Sequence, residues 1–208
     1  MEMVRIYSKD LTVSKEQKHY LLNVMRLKSN DVFNIFNETG EYEMTLDHGI
    51  GKKIKEPQPI LIKALAFGTI KPHRLRFLLE KSVELGVTHL FPLKTQHSQF
   101  TVFKKDRFEK HMIEAVEQCG RIDIPQCFEI QSLTSFIEAF PLSVSWYFGD
   151  FEGNHKVDTK EYGFIVGPEG GFSKDEIDLL RQHTKGVQLS KTILRAETAA
   201  LVSMTFQR

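Results

Sequence analysis

The chain has 208 residues, of which 41% are hydrophobic, and its 28 Lys+Arg against 27 Asp+Glu give a net charge of +1. That length and apolar content suit one or two globular domains with a real core, and the near-neutral total argues against a dedicated polyanion binder. The charge is unevenly spread: Lys71–His111 carries nine Lys/Arg against four Asp/Glu, and Met112–Lys160 three against eight. Such segments serve as solvated helix faces or as a binding surface. Cys119 and Cys127 form no Cys-x-x-Cys pair and no disulfide framework, which reads as reduced cytosolic thiols and no metal site. The N-terminus alternates polar and apolar residues without the apolar core of a signal peptide. No run approaches the ~20 apolar residues of a membrane helix.

Residues 1–56 read as a small strand-rich domain. Val4–Tyr7, Val32–Phe36 and Tyr42–Leu46 alternate as half-buried strands do, with Thr39-Gly40 as a turn signal between the last two. Ser14 and Gln17 form a capping box for one helix, whose Leu21, Leu22 and Met25 supply an apolar stripe. His19 and Arg26, seven apart, are expected on one side of it. Lys55–Pro59, with two prolines in five residues, reads as the linker.

From residue 57 the pattern alternates strand and helix, which implies a parallel sheet with right-handed crossovers. Ile60–Phe67 is an expected strand. Pro72 suits a first helical turn, Leu75, Leu78, Leu79, Ser82 and Val83 recur at helical spacing, and Gly86 suits the helix end. Val87–Leu93 is the next strand, and Lys104–Cys119 a helix turning Phe108, Met112, Ile113 and Val116 inward. Phe128–Ile130, Leu133–Phe140 and Val144–Phe148 continue the alternation.

The last third carries the most information. Phe164–Val166 is a β-branched and aromatic run ending in Gly167-Pro168-Glu169-Gly170-Gly171, and Ser173 with Glu176 then caps a helix from Lys174. Val187–Leu189 is a second short strand, Ser190–Leu194 a tight polar loop, and a helix from about Ala196 buries Ala200, Leu201 and Met204. Two loops leaving the carboxyl ends of strands are where an open α/β sheet binds small molecules. The glycine loop is neither a Walker loop nor a G-x-G-x-x-G fingerprint. Alone it is also compatible with ordinary turns.

Together, GPEGGFS…DEI and QLSKTILRAETAA resemble the SPOUT class of S-adenosylmethionine-dependent RNA methyltransferases, and within it the ribosomal RNA small-subunit methyltransferase E family. HYLLNVMRLKSND, EKSVELGVTHLFPL and EAVEQCGRIDIP extend the resemblance over nearly the whole chain in order. It implies methylation at N3 of a uridine in 16S ribosomal RNA, a cytoplasmic homodimer with sites at the subunit interface, a PUA-like RNA-binding β-barrel over 1–56, and a SPOUT domain over 57–208 whose end forms a trefoil knot.

Methyl transfer from a sulfonium needs sulfur, methyl and acceptor nearly in line. A carboxylate pressed on the sulfur would stabilise the ground state more than the transition state. Backbone groups in glycine loops are the better holders. The resemblance implies Gly167, Pro168, Glu169, Gly170, Gly171, Leu189, Ser190, Ile193, Leu194 and Thr198 for the cofactor. Uracil N3 must lose a proton, so a base or an anion-stabilising cation is needed. Arg195 is expected to hold the uracil oxygens with its two-pronged fork, and Glu197 to act as base or as orienter of an arginine. His19, Arg26, Arg76, His97 and Arg121 are the RNA-contact candidates. The family usually has Gly, Glu and Arg where Ser190, Arg76 and His97 stand. The rival readings are a ribose 2′-O-methyltransferase of the same fold and a non-catalytic RNA-binding protein.

Overall fold

The computed structural model describes residues 3–98 and 104–206. They fall into two compact units: Met1–Pro59 with Val116–Ile124, and Ile60–Ala115 with Pro125–Arg208.

The first unit is a four-stranded sheet in the order β1 (Arg5–Tyr7), β2 (Phe33–Asn37), β3 (Gly40–Thr45), β4 (Gly49–Lys55), with β1 parallel to β2 and the rest antiparallel. β4 escapes the sequence patterns because GIGKKIK combines two glycines with three lysines, a poor strand composition; its pairing with β3 supplies what propensity does not. The Ser14–Gln17 capping box forms at α1 (Lys15–His19). Here the expected stripe changes. After His19 the chain continues as a π-helical turn, Tyr20–Val24, closed by Met25 N–H donating to Tyr20 O at 2.9 Å. The wider turn rotates residues off an α register, so Leu21 is fully buried, Leu22 is half-buried and Met25 is exposed. Arg26 lies beyond the helix with φ +57°, so it does not share a helical face with His19 as the seven-residue spacing suggested.

Arg5 is the polar centre of this unit. Its Nε and Nη2 donate to the two carboxylate oxygens of Glu41 at 2.8 and 3.1 Å. Nη1 donates to the carbonyls of Val116 and Glu117, each at 2.8 Å, and Nη2 to that of Arg121 at 2.7 Å. These carbonyls end α3 (Lys105–Cys119) and follow it, so a cation here meets unpaired acceptors and the negative end of the helix dipole. Burial alone would raise the Glu41 carboxyl, but the Arg5 guanidinium and the Asn34 amide outweigh it and hold it below the usual range. A depressed folded pKa stabilises above the unfolded value of about 4.5 and ceases to as pH falls through the folded pKa. Glu41→Gln is therefore expected to lower the melting temperature at neutral pH, with the gap to wild type closing as pH falls below about 4.5. Melting curves at stepped pH check this; a constant gap contradicts it.

The second unit is an α/β layer structure. Its strands are β5 (Lys63–Gly68), β6 (His89–Lys94), β7 (Gln126–Cys127), β8 (Gln131–Ser132), β9 (Ser145–Gly149), β10 (Tyr162–Val166) and β11 (Lys185–Val187). They form one parallel sheet ordered β11-β9-β10-β5-β6-β7, with β8 also on β6. Alternate residues point to opposite faces. Ala64, Ala66, Phe91, Trp146, Phe148 and Ile165 pack with Leu133, Phe136 and Ile137 of α4 (Leu133–Ala139) and Leu180 of α5 (Lys174–His183). On the other side Tyr162 Oη donates to Ser203 O of α6 (Ala196–Ser203) at 2.9 Å. Lys63 Nζ reaches Leu85 O at 3.2 Å and Met204 O at 3.0 Å, past the ends of α2 (Pro72–Glu84) and α6.

Most expected elements of this unit form within a few residues. α2 starts at Pro72 and buries all five stripe residues, with Gly86 at φ +87° just beyond its end. Several details differ. Phe128–Ile130, expected to continue the alternation, is irregular backbone between β7 and β8, each of which pairs with β6 on either side of it. Ile60 and Leu61 remain 54% and 55% exposed, and the strand begins at Lys63. The second short strand is Lys185–Val187, so Gln188 and Leu189 already belong to the loop. In α6 Leu201 is half-buried, while Ala196, Glu197, Ala200 and Ser203 face inward, because the helix packs on both β10 and α2. Ile113 of α3 is likewise only half-buried.

Candidate active site

Parallel strands end on the same edge, and β5, β9 and β10 all end there in glycine or lead into it: Gly68, Gly149 and Gly167. Register pairs Phe67 with Val166, which sets Gly68 against the start of the loop after β10. A Cβ on Gly68 would lie 2.6 Å from Pro168 N and 2.5 Å from its Cδ, so the two backbones meet only because that side chain is absent. Gly171 takes φ +70° and donates its N–H to Pro168 O at 2.9 Å, closing the turn.

The loop is braced from two sides. Ser173 Oγ accepts from Glu176 N–H and Glu176 Oε2 from Ser173 N–H, the expected capping box. Glu176 Oε1 also accepts from Gln96 N–H at 2.8 Å. His97 Nδ1 lies 3.0 Å from Gly170 O and 3.3 Å from Gly171 O. Carbonyl oxygens only accept, so Nδ1 carries the proton. His97 thus grips the glycine loop from outside.

A cavity of about 430 Å³ opens between this loop, the end of β9 and the loop after β11. Gly167, Pro168, Glu169, Gly170, Gly171, Leu189, Ser190, Ile193 and Leu194 all line it; Thr198 does not, and is exposed on α6. Ser190, where a glycine was expected, folds its hydroxyl back to accept from Thr192 N–H at 3.1 Å, so it shapes its own turn. Ile193 is 86% exposed at the rim.

Sequence reasoning missed the third wall, Gly149-Asp150-Phe151. The signal was available, since these residues follow an expected strand and leave the same sheet edge. Asp150 accepts from Arg181 Nε at 2.9 Å and Nη2 at 3.1 Å, and Glu152 accepts from the same Nη2 at 2.7 Å. Burial would raise the Asp150 carboxyl, but Arg181 and the Glu152 N–H outweigh it and keep it below the usual range. This bracket fixes the segment carrying Phe151, which is 63% exposed against the cavity.

Arg195 and Glu197 stand beside the cavity, between and after wall residues Leu194, Ala196 and Ala199, but not in its wall. Arg195 is the exposed N-cap residue of α6, its side chain makes no cap bond, and it has no ionic partner among the described residues. Glu197 is buried, with Oε1 3.8 Å from Arg74 Nε. Arg74 was also missed. It sits four residues before Leu78, on the margin of the α2 stripe, where a charged side chain must find a partner. Arg76, singled out instead, is exposed.

The remaining RNA-contact candidates belong to the first unit. His19 is exposed and lies 3.0 Å from the Asn23 amide; Arg26 is exposed. Arg121 is engaged within its own unit: its guanidinium is paired with Asp123 and its carbonyl with Arg5, so it serves the turn after α3. Burial pushes the Cys127 thiol up to about 12, which marks it as a packing residue. Among the described residues no group of three or more His, Cys, Asp or Glu is placed to hold a metal ion, and no helix is long and apolar enough to cross a membrane.

A family profile for the RNA methyltransferase domain matches residues 56–207, and one for the RNA methyltransferase PUA domain matches 13–54. A ribosomal RNA small subunit methyltransferase E of Rickettsia conorii is 31% identical over 216 residues, covering 95% of this chain and 88% of that protein. The chain belongs to the ribosomal RNA small subunit methyltransferase E family. A family structure from Neisseria gonorrhoeae, bound to S-adenosyl methionine, is 26% identical with a TM-score of 0.84, covering 98% of this chain and 95% of that one. A Legionella pneumophila methyltransferase in complex with the same cofactor is 25% identical with a TM-score of 0.87, covering 99% and 96%.

The residues present fit that cofactor. The cavity lies in the size range of small-molecule sites. Its floor approaches through glycine backbone, so main-chain groups can hold the ligand closely. Glu169 Oε2 is buried without a hydrogen-bond partner.

Proposed function

We propose that this chain is an S-adenosylmethionine-dependent methyltransferase that methylates N3 of a uridine in 16S ribosomal RNA of the small subunit. The observation that carries it is the convergence of the glycine loop 167–171 and the loop 189–194 on one cavity, with an arginine at the adjoining helix start that has no partner among the described residues. The bound cofactor supplies an electrophilic methyl group whose sulfonium charge is neutralised on transfer. The chain's own residues then have three tasks. Gly167–Gly171 and Leu189–Leu194 hold the ligand through backbone groups, so that no carboxylate need press on the sulfur. Arg195 stabilises the negative charge that develops on the uracil oxygens as the N3 proton passes to solvent water. Of the two roles open to Glu197, its burial and its nearness to Arg74 support orientation rather than proton abstraction.

The first unit serves as the PUA-like RNA-gripping domain, with His19 and Arg26 as its exposed contacts and Arg76 and His97 as contacts from the methyltransferase domain. The functional assembly is a cytoplasmic homodimer; exposed Ile193 and Phe151 at the cavity rim support a partner closing it. A trefoil knot at the C-terminal end belongs to the same reading, supported by β11 lying beside β9 rather than beside its sequence neighbour β10. Isothermal calorimetry with S-adenosylmethionine tests the cofactor assignment. One site per chain is expected, and no measurable heat of binding refutes it.

A further inference from the structure

We propose that Arg74 is a positioning residue that ties the glycine loop to the first turn of α6, fixing Glu169 and Glu197 relative to each other. This rests on the cofactor and acceptor roles given above to those two segments. Arg74 Nη1 lies 3.6 Å from Glu169 Oε1, and its Nε lies 3.8 Å from Glu197 Oε1. All three side chains are largely out of solvent. Glu169 Oε1 also accepts from Lys71 N–H at 3.3 Å, so this carboxylate sits at the start of α2, where no side chain of the helix's own cap residue satisfies the free N–H groups.

The second oxygens make the arrangement more than a surface ion pair. Oε2 of Glu169 and Oε2 of Glu197 are each buried without a hydrogen-bond partner. Two carboxylates therefore share one guanidinium in a place where water does not compensate them, and removing that cation leaves both uncompensated. A guanidinium suits the task because Nε and Nη1 stand on different parts of a rigid planar fork, so one side chain meets two carboxylates at once. An ammonium is a point charge and favours one of the two. Glu169 is in the cavity wall, whereas Arg74 and Glu197 are not, so Arg74 acts on the ligand only through others. Its position makes it the link by which a displaced α6 would be felt at the cofactor loop.

The test compares Arg74→Met, Arg74→Lys and Glu197→Gln, singly and in the double Arg74→Met/Glu197→Gln, in the full-length protein. Titration with S-adenosylmethionine gives Kd, and labelled methyl transfer to small ribosomal subunits lacking the modification gives kcat. Arg74→Met is expected to weaken the cofactor Kd about tenfold through Glu169 and to lower kcat about tenfold through Glu197, with Arg74→Lys between it and wild type. The kcat of the double variant is expected to lie within about twofold of the poorer single variant, since both changes break the same link. Losses that multiply in the double variant overturn the proposal, as does an Arg74→Met protein with wild-type Kd and kcat. Should Arg74→Met not fold, Arg74→Lys carries the test: equality with wild type in both constants overturns it. Wild-type protein that binds no S-adenosylmethionine would instead refute the cofactor assignment beneath it, a result separable from failure of the Arg74 variants alone.

Discussion

Arg195→Ala should lower methyl transfer on the order of 10²–10³-fold while leaving S-adenosylmethionine affinity within about twofold of wild type. The geometry separates the two effects. Arg195 is exposed and its side chain makes neither a cap bond nor an ion pair among the described residues, so truncation removes little that holds the fold. Its neighbours Leu194 and Ala196 line the cavity and it does not, so truncating it leaves the cavity wall intact. A free guanidinium at such a place has no structural work, and its two-pronged donor set matches an acceptor whose oxygens gain charge as N3 is deprotonated. Arg195→Lys should recover part of the rate by charge alone. Turnover of labelled methyl into small-subunit RNA, measured with calorimetric Kd on the same samples, checks both halves. Unchanged turnover removes Arg195 from the mechanism.

Gly68→Ala should weaken cofactor binding about tenfold to a hundredfold, although Gly68 is absent from the cavity wall. The added methyl meets Pro168 N at 2.6 Å and Gly167 C at 3.2 Å, both backbone atoms of the glycine loop. Backbone in a sheet edge gives way only by displacing the loop, and overpacking of this kind costs ~1–3 kcal/mol. Gly170→Val offers a graded comparison. There the new Cβ meets His97 Cβ at 2.9 Å, an exposed side chain that can swing away at the loss of its bonds to Gly170 O and Gly171 O. Its effect comes mainly through the lost His97 brace, because the new Cβ faces His97, so it should weaken binding less than a displaced backbone does. Calorimetric titrations of the two variants decide the order, and a Gly68→Ala protein that binds as wild type contradicts the packing argument.

What the sequence disclosed follows from which forces act locally. Capping boxes at Ser14 and Ser173, the N1 proline at Pro72 and the stripe from Leu75 to Val83 are set by neighbours within one turn, and all form as the residues suggest. The two loops that line the cavity were legible from the motifs that carry the family resemblance and from their place after short strands of the sheet. Long-range features were not. β4 forms only because β3 offers it a partner, and the π turn after His19 is invisible to a pattern that assumes 3.6 residues per turn. Arg121 looked like a free cation until Asp123 and Arg5 were seen around it. Arg74 was passed over for Arg76 because two positions on a helix point in different directions, and only the position of α6 shows which of them meets carboxylates.

Delivery of a methyl group from this cavity to N3 of a uridine in small-subunit ribosomal RNA can be read directly from the modified nucleoside. Small subunits lacking the modification, incubated with the protein and S-adenosylmethionine labelled in its methyl group, can be digested to nucleosides and resolved by mass spectrometry. The label is predicted in 3-methyluridine and to disappear with Arg195→Ala. Label on a ribose 2′-oxygen, or none transferred by a protein that binds the RNA, would contradict it.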